Sequence, residues 1–99
     1  MRIAQSHARN MAAQENLSHE LDGERAGDRL DRAAYRYLRW AENIASGYAT
    51  PAAAVDGWMK SQKGHREHIV DAKMVHVGVG VATSATGRRY YCAVFALPR

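Results

Sequence analysis

Three short segments of the sequence place side chains capable of acid–base or metal chemistry among apolar or small neighbours. They are Ser18-His19, residues 42–47 (Glu-Asn-Ile-Ala-Ser-Gly), and residues 58–66, which end in Gly-His-Arg. Glu42 is the most informative, because a carboxylate with apolar neighbours on both sides is either half exposed or buried with partners that replace its hydration. Histidines are the candidate partners.

Length and composition limit what kind of protein this is. The chain has 99 residues, a net charge of +4 and ordinary proportions of hydrophobic (46%) and charged (24%) residues, which predicts a single folded domain over residues 1–99. No apolar run reaches the roughly 18 to 20 residues of a membrane helix, and the N-terminus has no hydrophobic signal core. The single cysteine, Cys92, excludes an intramolecular disulfide, and its apolar neighbours indicate a buried thiol.

Much of the positive charge lies in one stretch. Its arginines are Arg25, Arg29, Arg32, Arg36 and Arg39. Such a stripe could bind phosphates, anionic lipids or acidic polysaccharides. Interleaved Asp28 and Asp31 favour the alternative of a solvated helix face. No nucleic-acid-binding motif accompanies the charge, so no specific nucleic acid is expected as a partner.

Periodicity predicts several helices. Residues 2–15 repeat apolar positions at three- and four-residue steps and have no N-cap at their start. A second helix is predicted through residues 30–38, with the arginines opposite its apolar face. Thr50-Pro51 is typical of a helix start, and Gly64 is expected to separate that helix from a short turn or helix over 65–70.

The last third of the chain has the period of strands. Valines at 75, 77, 79 and 81 alternate with His76 and with the small residues Gly78, Gly80 and Ala82, which would let another element approach closely. A loop over 84–87 precedes a second strand over 89–97 that is apolar on both faces and must be covered on both sides. These features predict the α+β class, as a three-layer α-β-α sandwich around a small antiparallel sheet.

Together, in this order, the motifs resemble the bacterial type of the CAP superfamily (SCP-like domains), which includes the cysteine-rich secretory, antigen 5 and pathogenesis-related 1 proteins. The match covers nearly the whole chain. It comprises Ala4-x-x-His7-Ala8-x-x-Met11, Ser18-His19, Glu42-Asn43-Ile44-Ala45, Thr50-Pro51 with Trp58, Gly64-His65-Arg66, and Val77-Gly78-Val79-Gly80. Each motif is weak alone, and their order and spacing make the combination specific.

The resemblance implies a polar cleft formed by His19, Glu42, Ser61 and His65. In the family the cleft carries two histidines and two acidic residues, and some members bind a divalent metal such as zinc there. Ser61 stands where the second acid would lie, so the four-residue set is incomplete in this chain. Two imidazoles and a carboxylate, His19, His65 and Glu42, would suit zinc and leave a position for water. The same residues could instead form a closed hydrogen-bond network.

Three functions follow as alternatives. The first is a noncatalytic binding module, secreted or in the cell envelope as the resemblance implies, whose cleft takes a small molecule, a lipid or a peptide. The second is a hydrolase that uses zinc-bound water, and the third is a polyanion-binding surface along the arginines. CAP domains ordinarily begin with a further helix that does not precede Ile3 here, so the resemblance implies a shortened domain. We expect a second copy to cover the exposed apolar face, as a homodimer.

Overall fold

The computed structural model describes residues 2–99 and consists of a small sheet between two layers of helices. The helices are α1 (Ile3–Gln14), α2 (Ala26–Arg32), α3 (Pro51–Met59) and α4 (His65–Val70). The strands are β1 (Tyr37–Ser46), β2 (His76–Thr83) and β3 (Arg89–Pro98), and they form an antiparallel sheet in the order β1-β3-β2. The predicted three-layer α-β-α sandwich is confirmed.

The central strand β3 is buried on both faces, as its sequence predicted. Tyr90, Cys92 and Val94 pack in one core with α1 and α2, and Tyr91 and Phe95 pack in the other with α3. Because side chains alternate along a strand, one apolar segment supplies both cores. The strand therefore fixes the two helical layers relative to each other.

Helix α1 lies directly on β2. A Cβ added to Gly80 would stand 2.4 Å from the Cα of Gln5, so only glycine permits this approach. The Gln5 side chain donates to the carbonyl of Val81 at 2.8 Å and accepts from its N–H at 3.0 Å. It thus satisfies both backbone groups of one residue on the outer edge of the sheet.

The valines of β2 point away from α1 and are exposed. Helices α3 and α4 pack against β1 and β3 and leave the valine side of β2 uncovered. The expected homodimer, with a second copy on an exposed apolar face, stays a prediction.

The second helix is shorter than predicted. It ends at Arg32, and Tyr37 and Leu38 begin β1 instead of continuing the helix. Ala34 adopts a left-handed conformation with φ 59°, while the N–H of Tyr35 bonds to the carbonyl of Leu30 and that of Ala34 to Asp31. This is a Schellman motif, which usually has glycine at the left-handed position. Its use of alanine explains why the sequence did not indicate the end.

Helix α3 begins as predicted. The Thr50 hydroxyl accepts from the N–H of Ala53 at 3.1 Å, and Pro51 occupies the first turn. The helix ends at Met59, and Gly64, with φ 97°, starts α4 in a left-handed conformation. The two helices are therefore separate, and the loop between them brings Ser61 next to His65.

Candidate functional site

Glu42 lies buried on β1 at the centre of a charged cluster beneath α1 and α2. Its Oε1 accepts from Nδ1 of His19 at 2.9 Å, and its Oε2 accepts from Nη2 of Arg29 at 2.7 Å. The thiol of Cys92 also lies 3.6 Å from Oε2. Both carboxylate oxygens are therefore occupied by donors of this chain.

The pKa of the Glu42 carboxyl is lowered by this arrangement. Burial acts to raise it, but the hydrogen bonds from His19 and Arg29 and the positive charge of Arg29 outweigh burial. Burial of the Cys92 thiol, together with the negative charge of Glu42, raises the pKa of this thiol well above its usual value. Glu42 is therefore ionised, and Cys92 is a protonated thiol, which agrees with the buried thiol expected from the sequence.

Arg29 is the cluster's principal cation, and the prediction that its stripe is a solvated face is wrong at this position. The side chain is buried and also donates to the carbonyls of Glu24 and His19. Arg25 and Arg32 are exposed and pair with acids, as predicted for that face. Ala26, Arg29 and Leu30 follow the i, i+3, i+4 spacing of a core-facing helix, which is the signal that could have identified Arg29.

His7, from α1, closes the cluster. Its Nε2 donates to the carbonyl of Ser18 at 2.8 Å and lies 3.9 Å from the Glu42 carboxylate. Its Nδ1 is buried without a partner among residues 2–99. Burial lowers the pKa of this imidazole despite the nearby carboxylate. The ring is therefore neutral in the folded protein, and a proton on Nδ1 would have no acceptor.

The state of His7 makes stability depend on pH. The unfolded chain takes up the proton near pH 6.5 and the folded chain only at a lower pH, so we expect the free energy of unfolding to fall as the pH drops below about 6.5, by at most about 1.4 kcal/mol per pH unit for this group. Chemical denaturation at pH 7.5 and 5.5 measures the change. His65, whose pKa is also lowered, contributes in the same direction. His7→Gln should therefore reduce the slope, and an unchanged slope would contradict the assignment to His7.

His65 and Ser61 form a second pair on the opposite side of the sheet. The Ser61 hydroxyl and Nδ1 of His65 lie 2.8 Å apart. Asn43, the neighbour of Glu42 on β1, donates to the carbonyl of His65 at 2.9 Å and accepts from Nδ1 of His68 at 2.8 Å. Adjacent residues of β1 therefore anchor the two halves of the site, Glu42 on the α1 side and Asn43 on the α4 side.

The two pairs lie within electrostatic reach of each other. Burial is the largest cause that lowers the pKa of His65, and the charges of His68 and His19 lower this pKa further. The sequence-predicted residues thus form two contacts, His19 with Glu42 and Ser61 with His65. Asn43 is the unpredicted link between β1 and α4.

A groove runs beside the second pair and has a volume of about 500 Å³. Its apolar lining includes Leu17, Ile44 and Trp58, and its polar lining includes Ser61 and His65. The indole N–H of Trp58 donates to the carbonyl of Ile44 at 3.0 Å, which ties α3 to β1 and fixes one wall. Glu42 does not line this groove.

The donor set does not fit the metal site that the resemblance implied. Each oxygen of Glu42 already accepts a hydrogen bond, one of them from a guanidinium, and within residues 2–99 no group of three or more His, Cys, Asp or Glu side chains is placed to hold an ion. The Nε2 atoms of His19 and His65 remain, and two imidazoles are one protein ligand fewer than catalytic zinc sites use.

Together the α-β-α sandwich, the buried Glu42 cluster and the neighbouring groove define an SCP-like module. The family model of CAP, the cysteine-rich secretory protein family, matches residues 1–95, and the chain belongs to this family.

Two bacterial proteins are similar in sequence. One is YlbC of Bacillus subtilis (strain 168), described as an uncharacterized membrane protein, which is 38% identical over 68 residues, or 69% of this chain. The other is the uncharacterized protein YkwD of the same strain, 37% identical over 59 residues, or 60% of this chain. The matches span only 18% and 23% of those proteins.

Two solved structures share the fold. An extracellular protein containing an SCP domain from Bacillus anthracis str. Ames superposes with a TM-score of 0.83 at 29% identity, over 95% of this chain and 30% of that one. An outer surface protein from Borrelia burgdorferi gives a TM-score of 0.88 at 17% identity, over 99% of this chain and 72% of that one, and shows the fold alone. Among residues 2–99, no helix is both long enough and apolar enough to cross a membrane.

Proposed function

We propose that this protein is a noncatalytic CAP-family binding module whose groove takes a small molecule or a peptide side chain. The observation that carries the proposal is that both oxygens of the Glu42 carboxylate are occupied by Arg29 and His19. A general base must lie within hydrogen-bond reach of the substrate, whereas Glu42 is buried and does not line the groove. The cluster therefore stabilises the fold, and the open groove beside it is the binding surface.

The groove has the properties of a ligand site. It combines aliphatic and aromatic walls with a hydroxyl and an imidazole, the mixture that buries an apolar group and orients it through a few hydrogen bonds. The Ser61 hydroxyl and the His65 ring are already fixed by their mutual hydrogen bond, which reduces the entropy lost when a ligand binds.

Leu17 offers a direct test of the groove. It is exposed in the free protein and lines the groove, so Leu17→Ala removes contact area for a ligand without disturbing a buried core. We expect N-acetyl-tyrosinamide to shift the backbone NMR signals of Gly57, Ser61 and His65 with millimolar affinity, and Leu17→Ala to weaken binding about 5- to 10-fold through the loss of apolar contact.

The control is Leu38→Ala, which truncates another exposed leucine, at the start of β1 and outside the groove. Its affinity for the probe should equal that of the unsubstituted protein. Probe shifts scattered over the surface, or equal losses in both variants, would overturn the proposed groove.

Zinc binding and zinc-dependent hydrolysis stay predictions of the resemblance, and calorimetry tests them against the proposal. Because Glu42 is occupied, we expect no micromolar heat of binding when zinc is added to the protein. Micromolar binding that disappears in both His19→Ala and His65→Ala would establish a metal site and contradict this expectation. Zinc-dependent turnover in the unsubstituted protein that is lost in a folded Glu42→Gln variant would in addition establish hydrolysis.

The polyanion-binding alternative has less support. Arg29 is buried, while Arg25, Arg32 and Arg39 each lie beside a carboxylate. Binding to heparin that weakens steeply with salt would support it, and flat salt dependence would eliminate it.

Secretion or attachment to the cell envelope is part of the proposal, supported by the descriptions of the two structural relatives as extracellular and outer-surface proteins.

A further inference from the structure

A second cavity lies beside the groove, between the turn after β1 and the hairpin that joins β2 to β3. Its volume is about 490 Å³. It is lined by Gly47, Tyr48, Ala49, Thr86, Gly87, Arg88 and Arg89. No acidic residue lines it, and within residues 2–99 neither arginine lies within ion-pair distance of a carboxylate. Two positive charges therefore face one cavity without a counter-charge.

Both guanidinium groups are held in place by neutral acceptors. Arg88 donates from Nε and Nη2 to the hydroxyl of Ser46, at 3.2 and 3.0 Å. Arg89 donates from Nη1 to the carbonyl of Ala49. These bonds fix the position of each guanidinium group and leave its other N–H donors available. Because the acceptors are neutral, the positive charges are not neutralised.

The backbone around the cavity is shaped for this arrangement. Gly47 has φ 86°, and a Cβ there would lie 3.1 Å from Nη2 of Arg88, so glycine makes room for the guanidinium over the turn. The hydroxyl of the buried Tyr91 donates to the carbonyl of Tyr48 at 2.7 Å and anchors the turn to β3. The nearby Glu15 accepts from Thr86 but lines a separate cavity.

The cavity adjoins the groove. Tyr48 lines both spaces, and Ser46, which lines the groove, is the residue that holds Arg88. A ligand that extends from the groove past Tyr48 would therefore reach the two arginines. Paired guanidinium groups bind phosphate and carboxylate through parallel, charge-assisted hydrogen bonds.

We propose that Arg88 and Arg89 form an oxyanion subsite that binds a phosphate or carboxylate group carried by the ligand of the groove. This inference deepens the proposed function and rests on it for the link to the groove. The subsite itself is a property of the two arginines and binds the free anion as well.

The test is an NMR titration of the protein with sodium phosphate and, separately, with sodium acetate, each at constant ionic strength maintained with sodium chloride. We expect saturable shifts of the backbone signals of Gly47, Ala49 and Gly87. Arg88→Gln and Arg89→Gln should each weaken binding about tenfold, since one charge-assisted hydrogen bond is worth about 1.5 kcal/mol or more. Saturation by phosphate alone, by acetate alone or by both identifies which oxyanion the subsite accepts.

The matched control is Arg36→Gln, which removes the same charge near the opposite end of β1. Its affinity should be unchanged. Shifts no larger than those caused by chloride, or equal affinity in Arg88→Gln and the unsubstituted protein, would overturn the subsite. The groove probe N-acetyl-tyrosinamide carries no anion, so failure of this probe to bind would contradict the proposed function without affecting the subsite. Failure of phosphate and acetate to bind would contradict the subsite without affecting the proposed function.

Discussion

Glu42→Gln is expected to lower the free energy of unfolding by about 3 to 5 kcal/mol, because removing one partner of a buried ion pair leaves the other charge without compensation. The variant keeps the size of the side chain but removes the negative charge, so Arg29 stays buried beside a neutral amide. Denaturant unfolding followed by circular dichroism measures the loss as a lower midpoint. A change below about 1 kcal/mol would show that the cluster contributes little to the fold.

Glu20→Gln is the matched control for this substitution. Its partner, Arg25, lies 3.8 Å away, and the two side chains are 58% and 65% exposed, so the loss should be below about 1 kcal/mol. The double variant Glu42→Gln, Arg29→Met removes both buried charges and should be less destabilised than the sum of the single variants. Strict additivity would mean that Glu42 and Arg29 do not stabilise each other.

Gly80→Ala is expected to cost about 3 kcal/mol, at the upper end of the usual range for overpacking, and to lower the melting temperature by about 12 °C or more. The new methyl group would stand 2.4 Å from backbone atoms of α1, so the helix as a whole must move, and the hydrogen bonds between Gln5 and Val81 would be strained. Thermal unfolding measures the effect.

Val79→Ala is the control on the same strand. Its side chain is 62% exposed on the opposite face, so the substitution should cost less than about 1 kcal/mol. Similar melting temperatures for the two variants would mean that α1 does not depend on close contact with β2.

The sequence predicted the elements whose signals are local. The cap and proline at Thr50-Pro51 fix the start of α3, and the alternating valines and small residues fix β2. Strand β1 was not identified, because an apolar run such as residues 40–45 fits a buried strand or a buried helix equally well by periodicity. The end of α2 was missed because Ala34 takes a position that glycine usually occupies.

The candidate site shows the same division. Motifs of the family resemblance pointed to His19, Glu42, Ser61 and His65, and the structure joins them as two hydrogen-bonded pairs. The part that Arg29 plays depends on which way a short helix faces its sheet, and that orientation is set by packing between distant segments. A single sequence contains no direct record of such contacts.

The attachment of α1 to β2 has a consequence for how the protein behaves at high concentration. Residues 75–83 are rich in valine and contain no proline and no Asp, Glu, Lys or Arg, which is a composition that favours cross-β stacking between chains. The amide of Gln5 blocks the open hydrogen-bonding edge of this segment at Val81. We expect that detaching the helix would free these two backbone groups and make the edge more prone to pair with another chain.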